Sequence, residues 1–171
     1  TGYDHDEDYA TIVALVSEGA RVSALLAGEE GFVVVDRTPM YAESGGQVGD
    51  LGTIRGNGVH AEVLDTTKPA GDLYVHRVRV EAGALHVGDA VHLAVAGERR
   101  NRARLNHTGT HLLHAALKSV LGTHVAQKGS LVGPDRLRFD FSHHKAMSAE
   151  EVRKVEDLVN EEIRANAAVG T

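Results

Sequence analysis

The chain has no cysteine and no tryptophan, and few of its residues are proline or aromatic. Without cysteine it forms no disulfide and offers no thiolate as a metal ligand or nucleophile, so a reducing compartment, the cytoplasm, is the expected location. No stretch approaches the roughly 20 consecutive apolar residues that span a membrane, and we expect no membrane partner. The 171 residues are enough to bury a core as one domain or as two small ones.

The net charge of −6 is unevenly distributed along the chain. Residues 1–97 hold 6 Lys and Arg against 15 Asp and Glu, whereas residues 98–145 hold 9 against 3. A basic segment in an acidic protein is compatible with a nucleic-acid partner at that segment. The alternative is that the basic side chains form a solvated helix face.

Short, valine-rich runs separated by glycine and aspartate fill the first 96 residues. They predict strands, among them residues 21–26 and the alternating residues 73–80, in which His76 and Val78 share a face. Gly56-Asn57-Gly58 predicts a hairpin turn, because both residue types tolerate positive φ. Many short strands with tight turns are typical of a barrel. We therefore predict an α+β fold, with a small antiparallel β-barrel over residues 1–96 and a helix-plus-sheet domain over residues 97–171.

The segment TPMYAESGGQVGD, at residues 38–50, differs from the strands around it. Gly45, Gly46 and Gly49 allow the backbone to approach a ligand closely, and Gln47 offers both a hydrogen-bond donor and an acceptor. On composition alone, the alternative is a β-bulge followed by a turn.

The segment RRNRARLNHTGTHLLHAALKSVLG, at residues 99–122, predicts one helix with two different faces. The apolar face includes Leu105 and Leu117. The other face carries histidine and basic side chains: Arg100, Arg104, His107, His111, His114 and Lys118. His107 and His111, four residues apart, are neighbours on a helix, and two imidazoles at that spacing can bind one metal ion. The alternative is that they are ordinary surface histidines.

Gly109 lies in the middle of this helix, where glycine costs roughly 1 kcal/mol relative to alanine. We interpret it as a place where another group packs closely against the helix backbone. After the helix the sequence predicts strands joined by a turn at Gly133-Pro134-Asp135. Ser148 and Glu151 then predict the capping box of a last helix.

Two long segments resemble one protein family. Residues 106–143, NHTGTHLLHAALKSVLGTHVAQKGSLVGPDRLRFDFSH, are similar to the zinc-bearing editing domain of alanyl-tRNA synthetases, and residues 36–54, DRTPMYAESGGQVGDLGTI, are similar to the loop that precedes it. The resemblance covers essentially the whole chain. It implies an ATP-dependent ligase that attaches alanine to its tRNA and hydrolyses serine or glycine wrongly attached there. The implied partner is alanine tRNA with a mischarged 3′ end, and no DNA partner is expected.

The resemblance also assigns roles to individual residues. His107 and His111 match two zinc ligands, and Thr110 and Gln127 match positions that shape the pocket and are the predicted catalytic residues. The resemblance also favours a loop that borders the substrate, with Gly45, Gly46 and Gln47 as predicted substrate-binding residues. Arg100, Arg104 and Lys118 are predicted to bind the substrate as phosphate contacts, because of their charge.

In the family, the other two zinc ligands are the Cys and His of a later Cys-x-x-x-His segment, which these residues do not contain. The zinc site is therefore expected to be incomplete and the chain alone inactive, and ATP and Mg²⁺ are expected only in a separate aminoacylation domain. His114 and His124 are available as substitute ligands, but the sequence gives no geometry for them. Gly2-Tyr3-Asp4 resembles the family sequence before the editing region and favours a piece of the full synthetase. The alternatives are a free-standing trans-editing deacylase and a non-catalytic tRNA-binding module.

Overall fold

The chain divides into two compact units, Thr1–Asn101 and Arg102–Thr171. The structure is a computed structural model and describes residues 5–167. The division falls inside a long helix, whereas the sequence predicts a boundary at residue 96. The predicted family signature Gly2-Tyr3-Asp4 lies outside the described residues.

The first unit is built from strands, as the valine-rich runs predict. They are β1 (Glu7–Ser17), β2 (Ala20–Val22), β3 (Ala24–Leu26), β4 (Glu30–Val35), β5 (Gly52–Gly56), β6 (Val59–Ala70), β7 (Leu73–Ala82), β8 (Ala84–His86) and β9 (Ala90–Val95). Six of them form an antiparallel sheet in the order β1-β4-β7-β6-β5-β9, and the sheet closes because β9 also pairs with β1. The predicted antiparallel barrel is confirmed.

Alternation along the strands explains the barrel core. On β7, His76, Val78 and Val80 are buried while Arg77 and Arg79 are exposed, since successive side chains of a strand point to opposite faces. The inward-facing residues of the other strands form one apolar cluster, which includes Ile12, Leu15, Val33, Ile54, Val63, Val91 and Leu93. The barrel interior is therefore a packed core.

Of two local predictions for the barrel, the hairpin turn is confirmed and the single strand over residues 21–26 is wrong. The predicted hairpin turn joins β5 to β6, with Gly58 at φ 75°. Residues 21–26 are not one strand, because the chain pairs differently on the two sides of Ser23. β2 pairs with β1, and β3 pairs with β8 in a separate two-stranded sheet in which the buried Leu25 lies opposite Leu85.

The second unit contains most of helix α1 (Gly97–Leu121), the hairpin β10 (Gln127–Val132) and β11 (Leu137–Phe141), and helix α2 (Ala149–Ala165). Its core forms around Ala116, Leu117, Val125 and Val155. The predicted capping box is present at the start of α2, where Ser148 and Glu151 bond each other's backbone N–H groups. No helix in the described part of the chain is long and apolar enough to cross a membrane.

The predicted apolar face of α1 is wrong at Leu105, whose exposed fraction is 73%. The core of the second unit contacts α1 farther along the helix, at Ala116 and Leu117. A helical period locates a face, but it does not say how much of the helix length the neighbouring elements cover.

Candidate functional site

His107 and His111 lie on adjacent turns of α1, as their spacing predicts. Their imidazole rings are stacked, with 5.0 Å between the ring centroids and 19° between the planes, and both residues are exposed. An α-helix brings residues four apart onto one face, so both rings face the same solvent region. The pair can supply two nitrogen ligands to one metal ion.

A zinc ion in a structural site takes four ligands, and in a catalytic site usually three from the protein. Within residues 5–167, the only group of three or more His, Cys, Asp or Glu side chains close enough to bind one ion lies elsewhere in the second unit. His107 and His111 alone therefore supply two of the four ligands of a tetrahedral zinc site, and zinc binding at this pair stays a prediction.

Thr110 is directed into the second unit. Its exposed fraction is 7%, and its hydroxyl donates a hydrogen bond of 2.8 Å to the carbonyl oxygen of Asn106, one turn earlier in α1. Asn106 in turn donates its side-chain N–H to the carbonyl oxygen of Gly133, at 2.7 Å. The Asn106 bond attaches α1 to the predicted turn between β10 and β11, and the Thr110 bond lies within the helix.

Gly109 lies beside the hairpin in the second unit, but the close packing that its mid-helix position suggests is weak. A Cβ atom at residue 109 would lie 3.4 Å from a methyl carbon of Leu137 on β11. This distance is close to an ordinary van der Waals contact, so the packing of β11 does not require a glycine at residue 109.

The remaining predicted residues of the second unit are on its surface. Arg104 and Lys118 are exposed on α1, and Gln127 is exposed at the start of β10, opposite Phe141 in the hairpin register. The neighbouring Lys128, a further candidate for phosphate binding from the sequence, is also exposed. All four side chains are accessible to a polyanion.

Gly45, Gly46 and Gln47 belong to the first unit and form a tight turn. Gly45 and Gly46 have φ values of 59° and 86°, and the backbones of Ser44 and Gln47 bond each other on either side. Two successive positive φ values are typical of the turns that connect antiparallel strands and favour glycine. Gln47 is 9% exposed, so its side chain is largely buried in the first unit.

The helical wheel predicts that Arg100 lies on the exposed histidine face, but Arg100 is buried in the first unit with an exposed fraction of 3%. Its guanidinium forms ion pairs with Asp50 and Asp6 and donates to the carbonyl oxygen of Pro39 at 2.6 Å. Asp50 also accepts the backbone N–H of Tyr41, at 2.7 Å. These partners occupy the guanidinium, so Arg100 does not have the exposed position from which a phosphate contact is predicted. Arg100 instead secures the loop of residues 38–50.

A cleft of about 450 Å³ borders this loop in the first unit, a volume in the range of small-molecule sites. Its lining includes Arg37, Tyr41, Lys68 and Tyr74. Lys68 forms an ion pair of 2.7 Å with Asp72 and lies 5.3 Å from the centroid of the Tyr74 ring. No sequence pattern predicts this cleft, since its lining residues come from two segments that are distant in the sequence.

The structure also gathers three histidines that the sequence analysis does not combine. His124, in the turn after α1, meets His143 and His144 at the end of β11. The pKa of His143 is lowered from its ordinary value, first by burial and then by repulsion from His144 and His124. The adjacent residues His143 and His144 could have indicated a histidine cluster from the sequence, but only the fold places His124 beside them.

Comparison with known proteins gives a consistent result. Residues 1–99 match the family described as tRNA synthetases class II (A). The chain is 54% identical, over 170 residues and 99% of its length, to the alanine–tRNA ligase of Rhodopseudomonas palustris. It is equally similar, at 54% over 170 residues, to the alanine–tRNA ligase of a Chelativorans species. The chain spans 19% of the length of each of these two relatives.

Proposed function

The chain belongs to the class II tRNA synthetase (A) family, and on this basis we propose that it is part of a cytoplasmic alanine–tRNA ligase. The proposed parent protein attaches alanine to its tRNA with ATP and Mg²⁺, which bind outside these residues. Within that protein we assign the second unit to the site that hydrolyses serine or glycine from mischarged alanine tRNA. The lack of cysteine agrees with a reducing compartment.

Such hydrolysis is needed because a binding pocket discriminates weakly between substrates that differ by one small group. A missing methyl or an added hydroxyl typically gives only about 10- to 200-fold selectivity. An alanine pocket therefore admits glycine and serine too often, and a second, hydrolytic site corrects the error.

The observation that carries the proposal is the stacked, exposed pair His107 and His111 within the segment that resembles the editing domain. Both side chains would hold zinc, together with ligands from outside the described residues. When bound, zinc supplies a Lewis acid that polarises the ester or orients water. The exposed cations Arg104, Lys118 and Lys128 would attract the phosphates of the tRNA end, an affinity that is sensitive to salt and insensitive to sequence.

Gln127 and Thr110 have different parts in this proposal. The exposed amide of Gln127 can donate to and accept from a seryl side chain or the terminal adenosine. Thr110 shapes the region from within, because its hydroxyl is bonded to its own helix. Its contribution would be to hold the helix backbone beside His107 and His111 in place.

The test is hydrolysis of alanine tRNA that carries serine. It is measured for this chain and for a longer chain that extends through the next Cys and His. We expect tight one-to-one zinc binding at His107 and His111, and deacylation, only in the longer chain. His107→Ala and His111→Ala in that chain should each abolish both, whereas His86→Ala, an exposed histidine of the barrel, should change neither.

Other outcomes select the alternatives. Full deacylation by the His107→Ala and His111→Ala variants would refute the assignment of these residues. A longer chain that binds mischarged tRNA but leaves the ester intact at every protein concentration would identify a non-catalytic tRNA-binding module. Deacylation by the present 171 residues alone would favour a free-standing deacylase.

A further inference from the structure

The second unit contains a cluster of three histidines apart from the pair on the α1 face. His124 Nε2 lies 2.8 Å from His143 Nδ1. The ring centroids of His143 and His144 are 4.5 Å apart, and those of His124 and His144 are 5.4 Å apart. One ring nitrogen from each of the three lies within 4.8 Å of the other two. The three imidazoles are thus close enough for one nitrogen of each to bind the same metal ion.

The backbone holds the cluster in place from both sides. Gly122 ends α1 with φ 116°, and a Cβ atom there would lie 3.0 Å from Nδ1 of His124, so a larger residue would displace that ring. The N–H of Ser142 donates to the carbonyl oxygen of Ala126 at 2.9 Å, and the Ser142 hydroxyl accepts the Ala126 N–H at 3.2 Å. The segment that carries His124 is therefore fixed to the segment that carries His143 and His144.

His143 is partly buried, and an imidazole binds a metal ion in its neutral form. Three protonated histidines at these distances would repel one another. The charged residues that act on His143 are Lys145 and Glu151, and they form an ion pair with each other at 3.2 Å. These two charges oppose each other at His143, and the three rings offer nitrogen lone pairs as metal ligands. His143 also has a buried Nε2 atom without a hydrogen-bond partner.

We propose that His124, His143 and His144 form a binding site for a divalent transition-metal ion, with Zn²⁺ as the expected occupant. Three imidazoles suit Zn²⁺, Cu²⁺ or Ni²⁺, and three protein ligands leave a fourth position of tetrahedral zinc for water. Zinc–nitrogen distances of about 2.0–2.1 Å place two ligand nitrogens roughly 3.3 Å apart. The nearest nitrogens of His124 and His143 are 2.8 Å apart and all three ligand nitrogens lie within 4.8 Å of one another, so side-chain rotations would bring them to this spacing.

A metal ion here would connect the end of α1 to the end of β11. Because the three ligands come together only in the folded unit, binding would stabilise that unit against unfolding. The site uses none of the residues assigned to deacylation above, so this inference does not depend on the proposed function.

Calorimetric titration of the metal-free chain with ZnCl₂ at neutral pH tests the proposal. We expect wild type to bind Zn²⁺, and both His124→Ala and His144→Ala to weaken that binding by at least about tenfold. Zinc should raise the unfolding temperature of wild type, and raise it much less in these variants. His144 is exposed, so His144→Ala keeps the core intact, and circular dichroism without metal checks that it folds.

Two control variants identify the source of the binding. The double variant His107→Ala/His111→Ala should keep the zinc affinity of wild type, as should His86→Ala, an exposed histidine of the first unit. The proposal is overturned if wild type binds no zinc, if His124→Ala and His144→Ala bind it as wild type does, or if the His107→Ala/His111→Ala variant loses as much affinity as His144→Ala.

Discussion

His76 is a titratable side chain enclosed in the barrel core, and its two ring nitrogens have different partners. Nδ1 lies 3.1 Å from the carbonyl oxygen of Val33, and Nε2 lies 2.9 Å from the hydroxyl of Thr38. A carbonyl oxygen only accepts, so Nδ1 carries the proton and Nε2 accepts from Thr38. Burial lowers the pKa of His76 to about 4, because the protonated ring would lose its hydration.

The stability of the barrel should therefore fall as the pH drops from about 6.5 to about 4. In that window the unfolded chain binds a proton at His76, whereas the native chain does not, so acid favours unfolding. The full effect is on the order of 3 kcal/mol. Denaturant unfolding at neutral pH and at several lower values measures it. His76→Gln, which does not titrate, should lose this part of the pH dependence, and equal pH profiles of the two proteins would contradict the prediction.

Asp50 is the central partner of the buried Arg100, and its removal leaves a buried cation with only part of its compensation. We expect Asp50→Ala to lower the free energy of unfolding of the first unit by about 3 kcal/mol. The double variant Asp50→Ala/Arg100→Met should recover part of that loss, because it removes the uncompensated charge as well. Denaturant titration measures both. Asp72→Ala, which breaks an exposed ion pair with Lys68, serves as the control and should have a small effect.

At the scale of elements, the glycines of the loop at residues 38–50 have separate roles. Gly49 packs against β6, where an added Cβ would collide with the carbonyl oxygen of Thr66 and lie 3.0 Å from Oδ1 of Asp65. Gly45 faces open space but has φ 59°. From the sequence, both glycines are expected where a ligand approaches the backbone, and the structure gives Gly49 a backbone neighbour instead.

This difference predicts unequal costs for the same substitution. Gly49→Ala should destabilise the first unit by several kcal/mol, about 3 or more, because two backbone segments must separate. Gly45→Ala should cost only about 1–2 kcal/mol, the penalty of the left-handed region for an L-residue. Thermal unfolding of the two variants measures the difference, and equal losses would refute the packing argument.

Helix α2 depends on its capping box for a defined start. Ser148→Ala removes the acceptor that Glu151 N–H uses at 3.1 Å, and we expect a loss of about 1 kcal/mol in the stability of the second unit. Ser119→Ala, an exposed serine within α1, is the matched control and should be neutral or slightly stabilising. Guanidinium titration followed by circular dichroism compares the two. A loss of the same size in both variants would mean that the capping bond does not contribute.

At the scale of the whole molecule, the basic segment of residues 98–145 contrasts with the acidic residues that precede it. Arg104→Glu, on the exposed surface of α1, should weaken the tRNA binding proposed above several-fold and make its salt dependence less steep, by roughly one unit in the logarithmic slope. Filter binding at a series of salt concentrations measures the slope. Arg55→Glu, an equal charge reversal on the exposed side of β5, should leave the slope unchanged. The argument for a basic binding face fails if both variants behave like wild type.

The sequence predicts repeating features of the fold better than tertiary partners. Alternation along β7 and the capping box at Ser148 follow local rules and are confirmed. The strand that divides at Ser23 could not be predicted, because the division depends on which strands lie beside β2 and β3. Arg100 shows the same limit. The helical period gives the direction of its side chain relative to His107, but the ion pair with Asp50 depends on a loop fifty residues away in the sequence.

The closure of the barrel has a consequence for how such a unit is combined with others. β1 begins at Glu7 opposite Ala94 on β9, and the N–H of Val95 donates to the carbonyl oxygen of Asp6 at 2.7 Å. The chain therefore enters and leaves the barrel at adjacent points. A unit with adjacent ends can be transplanted into a surface loop of another protein without forcing the host strands or helices apart. The barrel could therefore be inserted into another protein or removed from it with little change in the distance between the two host residues that flank it.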